Sequence, residues 1–253
     1  MHRCYLPVED LAAGSLSVQG EEAHHALRVM RMRVGDVCEV FNGRGQAVRA
    51  RVVHATGSLM ELESLETLPP LPPVVGMTLG IAIPKGALMD LIVQKAVELG
   101  VRRIVPLITE RTIVRLSPKE AAAKAEKWRR TALEACKQCG VNELPQVETP
   151  QPYTDFLQRT DIRGLRVQCA ILPQARPLRE VLEAGRAAGH AEAALLIGPE
   201  GDFSPAEYAA GEAAGYAPVS LGGIILRVET AVFFALAATR YALDPLLVGS
   251  DNA

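Results

Sequence analysis

Leu68-Pro69-Pro70-Leu71-Pro72-Pro73-Val74-Val75-Gly76-Met77-Thr78-Leu79-Gly80-Ile81-Ala82-Ile83-Pro84-Lys85-Gly86 is where the character of the chain changes. Four prolines between Leu68 and Pro73 withdraw backbone donors and fix φ, so neither a helix nor a sheet continues through them. The run Met77 to Ile83 that follows is apolar and of strand length, the pattern of a strand covered on both faces in a parallel sheet. Pro84-Lys85-Gly86 supplies the turn that ends it.

Upstream of the prolines the sequence reads as short strands, Val37–Phe41, Ala47–Val53 and Leu59–Leu65, with Asn42-Gly43-Arg44-Gly45 as the turn between the first two. One helical stretch, Glu21 to Arg31, interrupts them and places Ala23, Leu27 and Met30 on one side. A small barrel-like domain over about residues 1–70 is expected. Downstream, apolar runs alternate with amphipathic stretches. Strands are expected at Met77–Ile83, Arg103–Ile108, Arg166–Leu172, Ala193–Ile197 and Ala217–Leu221. Helices are expected at Ala87–Leu99, Pro118–Cys139, Pro177–Ala187, Pro205–Ala214 and Val228–Leu243. Such alternation predicts an α/β domain with a mostly parallel sheet covered by helices, over about residues 74–245. Ser117-Pro118-Lys119-Glu120 and Ser204-Pro205-Ala206-Glu207 both match a capping box. The residues from Gly249 to Ala253 read as a frayed tail.

Composition excludes several classes. With 253 residues, 49% apolar and 22% charged, the chain is neither disordered, collagenous nor a coiled coil. No apolar run reaches the roughly 18 residues of a membrane span and no charged, apolar leader opens the chain, so a cytoplasmic protein without membrane attachment is expected. Five scattered cysteines do not form a disulfide framework and fit a reducing compartment. The net charge of −2 hides an asymmetry. Residues 102–137 hold ten Lys or Arg against four acids, whereas 138–253 hold eight against fourteen. A smaller basic group, Arg28, Arg31, Arg33, Arg44, Arg49 and Arg51, lies near the N-terminus. Local basic surfaces on a near-neutral chain suit an RNA or phosphate partner, or are simply solvated faces.

In parallel α/β sheets ligands bind beyond the carboxyl ends of strands. Four sequences stand there: Pro84-Lys85-Gly86, Leu172-Pro173, Gly198-Pro199-Glu200-Gly201, and the stretch from Leu221 through Gly222, Gly223, Ile224, Ile225, Leu226, Arg227 and Val228 to Glu229-Thr230. No Gly-x-Gly-x-x-Gly and no phosphate loop ending in Gly-Lys-Ser/Thr is present, which argues against a dinucleotide or triphosphate enzyme. Glycines at such turns let a backbone approach a flat ligand, and they equally make a tight connection.

Gly198-Pro199-Glu200-Gly201, followed by Leu221-Gly222 and Ile225-Leu226-Arg227-Val228-Glu229-Thr230-Ala231, resembles the RsmE family of ribosomal RNA methyltransferases in the SPOUT superfamily. Further matches run in the family's order: His25-x-x-Arg28-Val29-Met30-Arg31, Gly35-Asp36, Lys85-Gly86, Gln94-Lys95-Ala96-x-Glu98-Leu99-Gly100-Val101, Pro106-Leu107, Glu110-Arg111 and Trp128.

The resemblance implies an N-terminal PUA-like barrel for RNA contact and a SPOUT domain whose end is tied in a trefoil knot. It implies a homodimer that binds S-adenosylmethionine in the knot and methylates N3 of a uridine in small-subunit ribosomal RNA, free or in the small subunit. Leu172, Pro173, Gly198, Glu200, Gly201, Leu221, Gly222, Ile224 and Leu226 would surround the cofactor, with backbone groups recognising its adenine. Arg227 would stabilise the charge on the uracil oxygens, and Glu229 would orient the arginine or relay the proton. Alternatively, both brace the last helix. No metal is implied.

The chain departs from the family pattern at Asp202, where a second glycine is usual, at Ile225 in place of an arginine, at Val228 in place of a threonine, and at Val141, where another arginine is missing. Weaker or redirected RNA binding is the expected consequence. Two alternatives stay open: an RNA-binding ribosome factor that has lost turnover, and a methyltransferase of another RNA. Cys136-x-x-Cys139 reads as helix packing more than as a metal or redox pair. His24 and His25 point to different helix faces, and Trp128 is either a base-stacking platform or core.

Overall fold

The structure is a computed structural model and describes residues 2–11, 14–72, 74–245 and 247; the expected tail from Gly249 to Ala253 lies outside them. The chain forms two compact units, Met1–Pro72 with Cys136–Leu144, and Pro73–Ala135 with Pro145–Ala253.

The first unit contains β1 (Arg3–Tyr5), β2 (Ser15–Gln19), α1 (Gly20–His24), β3 (Val37–Phe41), β4 (Ala47–Thr56) and β5 (Leu59–Thr67). The strands form one sheet in the order β1-β3-β4-β5-β2. β1 and β3 are parallel and the other neighbours antiparallel. Register shifts between Arg49 and Ala50 and between Val52 and His54 bend β4, which curls the sheet around its apolar face. Val18, Cys38, Val40, Val48, Ala50, Val52, Met60 and Leu62 fill that core. The expected single helix from Glu21 to Arg31 is instead α1 followed by a π-helical stretch, His25–Val29, and the chain leaves it through Arg31 at a φ of 56°. The 136–144 segment joins this unit through Arg3, whose guanidinium donates to the carbonyl oxygens of Cys136 at 2.7 Å and Val141 at 3.3 Å and to the Asn142 side chain.

The second unit contains β6 (Gly76–Ala82), α2 (Leu88–Glu98), β7 (Val101–Ile108), α3 (Pro118–Cys139), β8 (Gln146–Val147), β9 (Gln151–Pro152), α4 (Tyr153–Leu157), β10 (Leu165–Cys169), β11 (Arg176–Pro177), α5 (Leu178–Ala187), β12 (Glu192–Ile197), α6 (Pro205–Ala213), β13 (Ala217–Ser220) and α7 (Val228–Leu243). Seven strands run β11-β13-β10-β12-β6-β7-β8, with β9 also on β7. Every pairing in this sheet is parallel. The chain builds outward from β6 on one side through β7 and crosses to the other side for β10, β12 and β13. This brings the carboxyl ends of β10, β12 and β13 together, and the site lies there.

The expected elements form for the reasons their patterns suggest. On α3, Ala121, Ala125, Trp128, Ala132 and Ala135 are buried at intervals of three and four residues. Trp128 is 3% exposed, so it is a core residue and not a base-stacking platform. α6 begins with a complete capping box: Ser204 Oγ accepts from the Glu207 N–H at 3.3 Å, and Glu207 Oε2 accepts from the Ser204 N–H at 2.8 Å. Losing the hydroxyl in Ser204→Ala is expected to cost about 1 kcal/mol, read as a lower urea midpoint at unchanged slope.

Candidate cofactor and active site

Beyond β10, β12 and β13 lies a cavity of about 720 Å³. Residues 169–173 form one wall, 197–200 with Asp202 a second, and 220–229 a third; Leu88 from the start of α2 and Ala231 from α7 complete it. The volume falls within the range of small-molecule sites, and the walls are mostly apolar. Beside Gly222 and Gly223 no heavy atom lies within 4 Å of the position a Cβ would take, so that edge is open to a flat ligand.

Leu172, Pro173, Gly198, Glu200, Leu221, Gly222, Ile224 and Leu226, expected around a cofactor, all line this cavity, as do Arg227 and Glu229. Gly201 does not. It sits in the same turn but packs under Arg111, whose Cδ would lie 3.5 Å from an added Cβ. Gly198 is fixed by its own turn, since a Cβ there would stand 3.1 Å from the backbone nitrogen of Phe203. The lining also includes Cys169, Ala170 and Ile197, which the strand-end rule could have supplied, and Leu88, which no local pattern marks.

The 198–203 turn is clamped from two neighbouring loops. Glu200 Oε1 accepts from the Lys85 backbone N–H at 2.9 Å. Arg111 donates from Nη1 to the Gly201 oxygen at 2.7 Å, and the Glu110 N–H donates to Glu207 Oε1 at 2.8 Å. The sequence pairs Lys85-Gly86 and Glu110-Arg111 therefore act as props for this wall.

Arg227 is the N-cap residue of α7 and exposed, and Glu229 lies half-buried in that helix's first turn. Among the described residues no hydrogen bond or ion pair joins the two, so the structure does not show Glu229 orienting the arginine directly. A carboxylate in the first turn also suits the positive end of the helix. Asp202 takes a φ of 62°, the left-handed region in which glycine is unstrained.

Cys169, at the end of β10, is buried, and its thiol is pushed up to about 12 by that burial and then by the Asp202 charge. Cys4, Cys38 and Cys136 are buried too, and Cys139 is exposed. A thiol-reactive disulfide reagent is therefore expected to modify one cysteine quickly in the native protein and the other four only on unfolding, because the reacting species is an accessible thiolate. Cys136 and Cys139 belong to no metal-binding group among the described residues. His24 and His25 are both exposed.

Comparison with known proteins places these features in context. The model of an RNA methyltransferase domain matches residues 71–240, and that of an RNA methyltransferase PUA domain matches residues 18–63. Ribosomal RNA small subunit methyltransferase E of Synechocystis is 32% identical over 96% of this chain and 78% of its own length. The Bacillus subtilis protein of the same name is 31% identical over 92% and 93%. Among solved structures, the Neisseria gonorrhoeae ribosomal RNA small subunit methyltransferase E bound to S-adenosylmethionine superposes with a TM-score of 0.87 at 32% identity, covering 97% of this chain and 99% of that one.

Proposed function

Because the chain belongs to the RNA methyltransferase family whose domain spans residues 71–240, we propose that it transfers a methyl group from S-adenosylmethionine to N3 of a uridine in small-subunit ribosomal RNA. The observation that carries this reading is the cavity of about 720 Å³, lined by strand-end residues that the family resemblance assigns to the cofactor. Its size, apolar walls and open glycine edge fit a nucleoside of that kind.

The bound cofactor supplies a methyl group on a positively charged sulfur. What remains for the protein is to hold the uracil in line, take up the N3 proton and neutralise the oxygens at C2 and C4 as charge moves onto them. Arg227, exposed at the cavity, is the donor for those oxygens, and Glu229, half-buried in the first turn of α7, handles the proton. Leu172, Gly198, Leu221, Ile224 and Leu226 hold the adenosine, mostly through backbone groups; Gly201 acts through the shape of its turn.

The RNA is recognised jointly by a PUA-like domain, about residues 1–70, and by the methyltransferase domain, about 74–245. The substrate is presented in the small subunit, and the protein works in the cytoplasm as a homodimer. Support for the dimer is apolar exposure: Ile224 and Ile225 are 77% and 79% exposed, and Phe234 and Tyr241 on α7 are 50% and 72% exposed. Among the described residues no helix is long and apolar enough to cross a membrane. The trefoil knot belongs to the same reading.

Calorimetric titration with S-adenosylmethionine tests the cofactor site. Saturable binding is expected, and Gly223→Trp, which fills the open edge of the cavity, is expected to abolish it while leaving the protein folded. Wild-type protein that is folded and fails to bind would overturn the reading.

A further inference from the structure

The cavity holds three carboxylates, Glu200, Asp202 and Glu229, and one guanidinium, Arg227. Such a site favours a cation. Glu200 is occupied in part by the Lys85 N–H. Asp202 differs: it makes no ion pair among the described residues, and its Oδ1 accepts a hydrogen bond from the Tyr208 hydroxyl at 2.7 Å. Burial first, and then this bond, push the Tyr208 phenol well above its ordinary range, so it stays a donor and brings no positive charge. The adjacent Cys169 thiol also stays neutral. Asp202 therefore places a carboxylate on the wall of the site that no ion pair among the described residues engages, the Arg111 guanidinium being held on the Gly201 and Phe203 carbonyl oxygens instead.

Its backbone makes the side chain more informative. The φ of 62° costs a non-glycine residue conformational energy, although aspartate tolerates it better than most. The turn alone would be served by glycine. An acid here carries that cost, and the residue lines the cavity with its carboxylate anchored by the Tyr208 hydroxyl.

We propose that Asp202 is a specificity-determining residue that makes the site prefer the charged methyl donor to its spent product. The inference rests on the reading of the cavity as the S-adenosylmethionine site. When the methyl leaves, the sulfur–carbon bond breaks and both its electrons stay on sulfur. The sulfonium becomes a neutral thioether, the new bond forms to N3, and the N3 proton passes to a base. Asp202 attracts the sulfonium and has no such attraction for the thioether, so the product is held less tightly and vacates the site. In a shared cavity at intermediate dielectric, one carboxylate is worth on the order of tenfold in affinity for a cation.

The test titrates wild type, Asp202→Asn and Asp202→Gly with S-adenosylmethionine and with S-adenosylhomocysteine. Asparagine keeps the shape and the acceptor for Tyr208, and glycine relieves the φ, so a stable variant is available either way. Wild type is expected to prefer the donor by about tenfold, and both variants are expected to bind the donor about tenfold more weakly with product affinity changed less than twofold. Parallel weakening of both ligands, or an unchanged donor-to-product ratio in either variant, would overturn the inference while leaving the cofactor site standing. A wild type that binds neither molecule would overturn the reading of the cavity and the inference with it.

Discussion

Replacing Arg227 by alanine is expected to lower the rate of methyl transfer to unmethylated small subunits by about two to three orders of magnitude, the usual cost of removing a donor aimed at developing oxyanion charge. The side chain is exposed at the cavity and caps nothing through a side-chain bond, so its loss is expected to change stability by less than about 0.5 kcal/mol. Affinity for S-adenosylmethionine should stay within a few-fold of wild type, because the arginine acts on the uracil. Arg227→Lys, which keeps the charge and loses the planar fork, should fall between the two. Single-turnover rates beside calorimetric affinities make the distinction. A fall in cofactor affinity matching the fall in rate would assign Arg227 to bracing α7 instead.

The largest effect on stability is expected at Gly164, just before β10. Its φ is 78°, and an added Cβ would stand 2.0 Å from the backbone oxygen of Glu192 at the start of β12. Neither the turn nor the strand can give way cheaply, since β10 and β12 are paired from Leu165 and Ala193 onward. Gly164→Ala is expected to cost about 3 kcal/mol or more, combining left-handed strain with overpacking. Gly189, at a φ of 73° with nothing within 4 Å, separates the two contributions. Gly189→Ala is expected to cost only about 1 kcal/mol. Chemical denaturation of both variants gives the comparison. Because β10 leads directly into the 169–173 wall, Gly164→Ala should also weaken cofactor binding, and Gly189→Ala should not.

Long periodic elements were legible from residues alone because their burial pattern is written locally. Pro118–Cys139 and Val228–Leu243 have their expected bounds, and Val37–Phe41 does too. What escaped was short or non-local. Ser15–Gln19 alternates with only two apolar residues, and Gln146–Val147, Gln151–Pro152 and Arg176–Pro177 are strands only because a neighbour pairs with them. A π-helical stretch at His25–Val29 has no distinguishing spacing in the sequence, so it read as ordinary helix. The segment 136–144 read as part of the second domain, yet it belongs to the first compact unit, where Arg3 gathers its carbonyl groups.

The cavity was half legible for the same reason. Turns after strands are visible in sequence, and Leu172, Gly198, Leu221 and Leu226 were found that way with the family resemblance beside them. Leu88 reaches the cavity from α2, and Gly201 is displaced from it by Arg111, facts set by tertiary packing. Asp202 was visible as a departure from the family, but its meaning needed the left-handed φ and the Tyr208 bond.

The most direct measurement of the central claim is methyl transfer itself. Purified protein, labelled S-adenosylmethionine and small ribosomal subunits lacking the modification would be incubated together, and the modified nucleotide located by mass spectrometry. One methyl group on N3 of a single uridine of the small-subunit RNA is the predicted result, lost in Arg227→Ala. A methyl group on a different RNA, or none at all from protein that is folded and has bound the cofactor, would contradict it.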